Sequence, residues 1–243
     1  LIENGFPEDY LDPIYTCSMC RDTGYTGEYK KEFCTCVLQH CQQLTSQTFA
    51  MPQTEETFEG YDITVFSNEP LPGLDITQQE YALVLRKRCE DYANQLPRSQ
   101  PPNLLFYGRS GLGKTYLLRA IAQRAQEKGI STLSVTANTL LNAMRKFYFS
   151  HEAEGMALFY DTQLLLIDDL GTEPMWENIT VEQLFALLDA RFSSGKNTVI
   201  STNLTLTELQ ARYTERIASR LTDVRLCQSL RFLGDDIRKR REP

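Results

Sequence analysis

The sequence has no apolar run that approaches the ~20 residues of a membrane-spanning helix, and no secretory leader is visible at its start. A membrane protein and an exported one are therefore not expected, and the expected location is the cytoplasm. It also lacks an excess of basic charge: 25 Lys and Arg against 32 Asp and Glu give a net charge of −7. That balance excludes a chain that coats DNA by bulk electrostatics. No Asn-Lys-x-Asp sequence is present to read a guanine base. Histidine is scarce, and His151 stands alone as an expected surface residue. The first residue is Leu rather than Met, so the chain reads as a fragment.

What is present is unevenly placed. The 243 residues are 42% hydrophobic, enough for one good core and a small extra module. Residues 212–243 hold nine basic and five acidic side chains, a local net of +4 on a body of −11. A basic end on an acidic body suits phosphate or a neighbouring subunit; a solvated helix face is the competing reading.

Five of the seven cysteines lie at Cys17, Cys20, Cys34, Cys36 and Cys41. Cys17-x-x-Cys20 is a knuckle spacing, the "DTGYTG" that follows supplies turn residues, and Cys34-x-Cys36 returns a second pair. Four thiolates in tetrahedral array suit a structural Zn²⁺, and a segment with so few apolar residues needs a staple. Disulfides are the alternative, but they require an oxidising compartment. His40 and Cys41 are reserve ligands. Cys89 and Cys227 read as buried cysteines. A cysteine-rich zinc module over 1–44, a linker over 45–74 with a few aromatic anchors, and a main domain over 75–243 are the expected divisions. Residues 75–96 predict an amphipathic helix ended by Pro97.

The most informative stretch is "NLLFYGRSGLGKTYLLRAIAQRAQEKG". Leu104–Tyr107 reads as a strand, Gly108 to Thr115 matches G-x-x-x-x-G-K-[ST] in full, and Tyr116–Lys128 reads as a helix closed by Gly129. Glycines let backbone N–H groups turn towards phosphate oxygens, and the helix N-terminus adds partial positive charge. Gly108, Ser110, Gly111, Leu112, Gly113, Lys114, Thr115 and Tyr116 are the expected nucleotide contacts, with Lys114 on the β- and γ-phosphates and Thr115 on Mg²⁺.

"TQLLLIDDLGTEP" raises a related question. Leu164–Ile167 reads as a strand buried on both faces, as in a parallel sheet, yet Asp168 and Asp169 follow at once. Adjacent carboxylates need a cation, a water or a donor. A Mg²⁺-bound nucleotide supplies the reason: Asp168 is placed to ligate the metal, and Asp169 to orient or deprotonate the attacking water. Thr132–Thr136 and 198–203 are further expected strands, the latter ending at Asn203, a candidate for binding that water. Val181–Phe192 is an amphipathic helix. In "RYTERIASRL", Arg212, Arg216 and Arg220 are four apart, on one face of a continuous helix, which is easier to explain if an anion comes to them. "RKFYFS" (145–150) mixes cations and aromatics, the chemistry of single-stranded base stacking; packing of Phe147 and Phe149 in the core at a helix end is the competing reading.

Together "YGRSGLGKT", "LLLIDDLGTE", "STNLTLTEL", "ERIASRL" and "FLGDDIRKR" resemble the AAA+ ATPases of the bacterial replicative-helicase loader group and their IstB transposition relatives. The cysteine module resembles the zinc-binding segment of some loaders. The resemblance implies an α/β P-loop AAA+ domain with a central parallel sheet flanked by helices. Because ten residues follow Leu233, it further implies a truncated lid. It implies ATP as nucleotide, sensor 1 at Asn203, an arginine finger at Arg220 with Arg216 as its neighbour, and Arg238 as a sensor 2 residue. It also implies a ring helicase of the DnaB type, single-stranded DNA and further copies of the chain as partners. Asp169 stands where most AAA+ proteins carry Glu, so slow Mg²⁺-dependent hydrolysis is expected. The alternatives are an IstB-like ATPase serving a transposase and a nucleotide-switched adaptor with little hydrolysis.

Overall fold

The computed structural model describes residues 13–27, 32–37, 56–150, 153–176 and 179–240. In the cysteine-rich segment two short strands, β1 (Tyr25–Thr26) and β2 (Glu32–Phe33), pair antiparallel. The larger body contains α1 (Gln78–Gln95), β3 (Asn103–Tyr107), α2 (Lys114–Glu127), β4 (Thr132–Thr136), α3 (Ala137–Ser150) and α4 (Ala153–Asp161). It continues with β5 (Leu164–Leu170), α5 (Thr180–Ser193), β6 (Asn197–Thr202), α6 (Leu206–Thr222) and β7 (Cys227–Arg231).

Strands β3 to β7 form one parallel sheet in the order β4-β5-β6-β3-β7. Side chains alternate between its faces with a period of two. Leu104, Phe106, Leu164, Leu166 and Val199 pack on one side with α1 and α2. Leu105, Leu165, Ile167 and Ile200 pack on the other with α3 to α6. This double coverage is why the strands read as unbroken apolar runs. Each fully buried side chain of this size contributes about 1.5–3 kcal/mol. Since β5, β6 and β3 are adjacent and parallel, their C-terminal ends, which carry Asp168, Asn203 and Gly108, meet on one edge. Among the described residues no helix is long and apolar enough to cross a membrane.

Three expectations change. The expected linker is, in its described part, packed structure: Phe58, Tyr61 and Phe66 are buried against α1 and α2. Its aromatics are core residues, which polar neighbours hide from periodicity. The expected helix start at residue 75 moves to Gln78, because Thr77 caps it and Glu80 returns the bond to the Thr77 N–H. The continuous arginine face does not exist. Helix α6 breaks at Thr214 (φ 74°, ψ 160°), so Arg212 belongs to one half and Arg216 and Arg220 to the other. Helices α3 and α4 and strand β7 were not anticipated; Leu140, Leu141 and Met144 are spaced as one buried helical face and were the missed signal.

Candidate nucleotide site and thiol cluster

The loop between β3 and α2 is held open by backbone geometry. Gly108 (φ 137°) lies against the Phe232 carbonyl and Gly111 (φ 75°) against the Asp236 carboxylate, so a Cβ at either would collide. Lys114 is buried and folds back over the loop, donating to the carbonyls of Gly108 (2.7 Å) and Arg109 (2.6 Å). Burial pushes its ammonium down to about 8, against the pull of Asp169 and Asp168.

The two aspartates are explained by an irregularity. The register between β5 and β6 shifts between Ile167 and Leu170, and Asp169 adopts φ 56°. Ser201 fills the gap: its hydroxyl accepts from the Asp169 N–H at 3.0 Å and donates to Asp168. Thr115 Oγ1 donates to the same carboxylate at 3.0 Å. Asn203 Nδ2 donates to Asp169 Oδ1 at 3.1 Å. Burial, and then the charge of Asp168, raise the Asp169 carboxyl above its ordinary range, while Lys114 pulls it down. Adjacent side chains of a regular strand would point to opposite faces; the bulge instead leaves Asp168 on Thr115 and Asp169 on Asn203. The Thr115 hydroxyl and Asp168 carboxylate, already within hydrogen-bond distance, are a hard-oxygen pair suited to Mg²⁺.

Beside the loop lies a pocket of about 380 Å³ lined by Gly60, Tyr61, Phe66, Gly113, Tyr116 and Ile237 among others. Tyr116, Gly113 and Arg238, which also lines the pocket, are residues that the sequence pointed to; Tyr61 and Phe66 come from the expected linker. The chain after β7 closes over the loop: Ile237 N–H donates to Gly111 O at 2.9 Å, and Arg238 Nη2 to Ser110 Oγ at 2.9 Å. Arg238 is also paired with Asp236.

The arginines part company. Arg212 Nη2 donates to the Glu173 carbonyl at 2.5 Å, and Tyr213 donates to the buried Glu173 carboxylate, which also caps the Gly171 N–H at 2.8 Å. Arg216 and Arg220 meet α5 instead. Phe149 is 62% exposed, so core packing does not hold for it; the side chain of Phe147 lies outside the described residues. Arg145 stacks over the Trp176 ring at 4.8 Å.

In the cysteine segment the four predicted sulfurs converge within 4.8 Å of one another. Cys17 and Cys34 are 3.7 Å apart, Cys20 and Cys36 3.5 Å, and all four are free thiols. Zn–S bonds of about 2.3 Å at tetrahedral angles put sulfurs roughly 3.8 Å apart. The Cys17 thiol is lowered to about 7, chiefly by the Cys20 backbone N–H, while Cys36 is pushed up to about 12, chiefly by its hydrogen bond with Cys20 and then by burial. Such crowding fits four ligands awaiting a cation. His40 and Cys41 lie outside the described residues.

A glycine loop wedged between the first strand and helix of such a sheet, with carboxylates one strand beyond its neighbour, is the arrangement of AAA+ P-loop ATPases. The crystal structure of the DnaC helicase loader shares the fold, with a TM-score of 0.57 at 19% identity over 72% of this chain and 98% of that one. Residues 91–242 match the model of the IstB-like ATP binding proteins, and the chain belongs to that family. It is 27% identical over 150 residues to the replicative helicase loader DnaC of Escherichia coli K12, covering 56% of this chain and 60% of that protein. It is 34% identical over 121 residues to the chromosomal replication initiator DnaA of Borrelia garinii subsp. bavariensis, covering 49% of this chain and 25% of DnaA. The chain thus spans less than two thirds of the length of both curated relatives.

Proposed function

We propose that the chain is an ATP-dependent loader of a DnaB-type replicative ring helicase onto single-stranded DNA, working in the cytoplasm as an assembly of its own copies. The observation that carries this reading is the division of the ATP site. Lys114, Thr115, Asp168, Asp169 and Asn203 converge on the loop, whereas Arg216 and Arg220 contact α5 and leave that pocket without them. A site completed by a neighbour's arginine links hydrolysis to assembly, which a ring-loading protein needs. The thiol cluster and the likeness to DnaC favour a loader over the other readings.

In the chemistry we infer, the base occupies the slot of Tyr61, Phe66, Tyr116 and Ile237, and the phosphates lie along Gly108, Ser110, Gly111, Leu112, Gly113, Lys114 and Thr115. Thr115 and Asp168 would hold Mg²⁺, which neutralises phosphate charge when bound. Asp169 and Asn203 orient a water whose oxygen bonds to the γ-phosphorus as the bond to the β–γ bridging oxygen breaks. Asp169 takes up the water's proton, and its raised affinity for protons suits that role. Lys114, and Arg220 from the adjacent copy with Arg216 beside it, balance the charge on the leaving group. Arg238, on Ser110, is the sensor 2 residue in this reading. The exposed Arg145, Lys146 and Phe149 offer a surface for single-stranded bases. Cys17, Cys20, Cys34 and Cys36 would hold a structural Zn²⁺ in a module over 1–44, separate from the ATPase domain.

Co-purification with the host's ring helicase, with and without ATP, tests the reading. ATP-dependent capture followed by transfer of the helicase to single-stranded DNA is expected. Absence of capture, with ATPase activity stimulated by duplex DNA instead, would favour the IstB-like transposition reading that the family match supports. Capture and release without turnover would favour the adaptor.

A further inference from the structure

The two arginines beyond the break in α6 are held in place before any partner arrives. The guanidinium carbon of Arg216 lies 4.3 Å from the centroid of the Phe185 ring, and that of Arg220 lies 4.4 Å from it. Arg220 also donates Nε and Nη2 to Asp189 Oδ1, at 3.0 and 2.5 Å. Phe185 and Asp189 are one turn apart on α5, and Arg216 and Arg220 are one turn apart on α6, so two facing helical turns make one cluster. Both arginines have these partners on α5, and neither contacts Lys114, Thr115, Asp168 or Asp169 of its own chain.

Two like charges a turn apart on a helix repel, and an arginine stem samples many rotamers. A shared aromatic ring counters both, because each planar cation is drawn to the negative charge over the ring. Asp189 takes two of the five N–H groups of Arg220 and leaves three for another acceptor. Arg216 remains exposed. The cluster therefore presents two oriented guanidinium groups with one charge cancelled, a shape suited to a polyphosphate rather than to a single carboxylate.

We propose that Phe185 is the positioning residue that sets Arg216 and Arg220 as a pair for the nucleotide polyphosphate bound by a second copy of this chain. The inference rests on the reading above, in which the arginine acts in trans.

The test mixes two inactive variants. Lys114→Ala has a dead pocket and an intact arginine pair; Arg220→Ala has the reverse. Activity should return at boundaries where an intact pocket meets an intact pair. Adding Phe185→Leu to the Lys114→Ala chain should cut the restored rate by roughly tenfold or more, as loss of catalytic alignment does. The same change in the Arg220→Ala chain should leave it unaltered, and Phe185→Tyr, which keeps the ring, should preserve the restored rate when placed in the Lys114→Ala chain. A general folding role would depress the rate from both chains alike, so equal losses overturn the proposal, as does no loss from the arginine-donating chain. Full activity of Arg220→Ala alone, or no recovery in mixed assemblies shown by cross-linking, overturns the trans reading itself and the proposal with it.

Discussion

The cysteine segment and the ATP-binding body reach order by different means. In the body, a sheet is covered on both faces, and dozens of side chains are removed from water. Among the described residues of the cysteine segment, Cys20 and Cys34 are the buried apolar side chains, while Ile14, Tyr15, Met19, Tyr25 and Phe33 are exposed. One region spreads its stability over many contacts, so damage is graded. In the other, the four converging thiols are the main feature, so if they hold a zinc, damage there should be all or none.

The sharpest way to break that contrast is to remove a ligand. Purified protein should carry about one zinc per chain, and Cys17→Ser or Cys34→Ser should lose the metal and unfold the segment, since structural zinc supplies about 10–16 kcal/mol to small modules. Metal analysis with hydrogen exchange checks this, and ATP binding by the body should persist. A zinc-free protein with paired thiols would end the comparison. In the body, Leu166→Ala should cost about 2–5 kcal/mol, read by denaturant unfolding, without abolishing the fold. Lys114→Ala should weaken ATP binding roughly tenfold to a hundredfold, the worth of charge-assisted hydrogen bonds, whereas Asp169→Asn should spare binding and remove turnover. Ser201→Ala should cost about 1–3 kcal/mol by leaving the Asp169 N–H unpaired.

The smallest effect concerns pH. Phosphate binding favours the charged form of Lys114, whose free-state value is about 8. Affinity for ATP should be level below that pH and fall above it, by at most about tenfold per unit. Calorimetric titration between pH 7 and 9.5 reads the slope, and a flat profile would show that Lys114 stays charged throughout.

Legibility in the sequence followed the range of the interactions. The phosphate loop and the strand before it are local patterns and stand where the pattern placed them; the Asp168–Asp169 pair, expected just after a strand, lies within β5 at its irregular end. The four cysteines were legible because turn residues and spacing suffice to aim them. Ser201 was not, because its role comes from a register shift between two strands. Tyr61 and Phe66 looked like linker residues because what buries them, α1 and α2, lies elsewhere in the chain. The arginine stripe failed for the opposite reason: a four-residue spacing was trusted through a residue that is not helical. Nothing in "RYTER" signals that Thr214 leaves the helix; contacts of Glu173 with Arg212 and Tyr213 on one side, and of Phe185 with Arg216 on the other, hold it there.

That break has a cost and a use. A threonine at φ 74° and ψ 160° occupies a region nearly reserved for glycine, at about 1–3 kcal/mol. Glycine there should raise the melting temperature, yet it would also slacken a joint. The half before the break answers to the loop that leaves Asp169; the half after it answers to α5. Both halves are seated in the same core, so α6 is two short helices set at a fixed angle by one strained residue, and on the reading proposed above the stiffness of that joint would set how faithfully the state of one nucleotide is passed to the next.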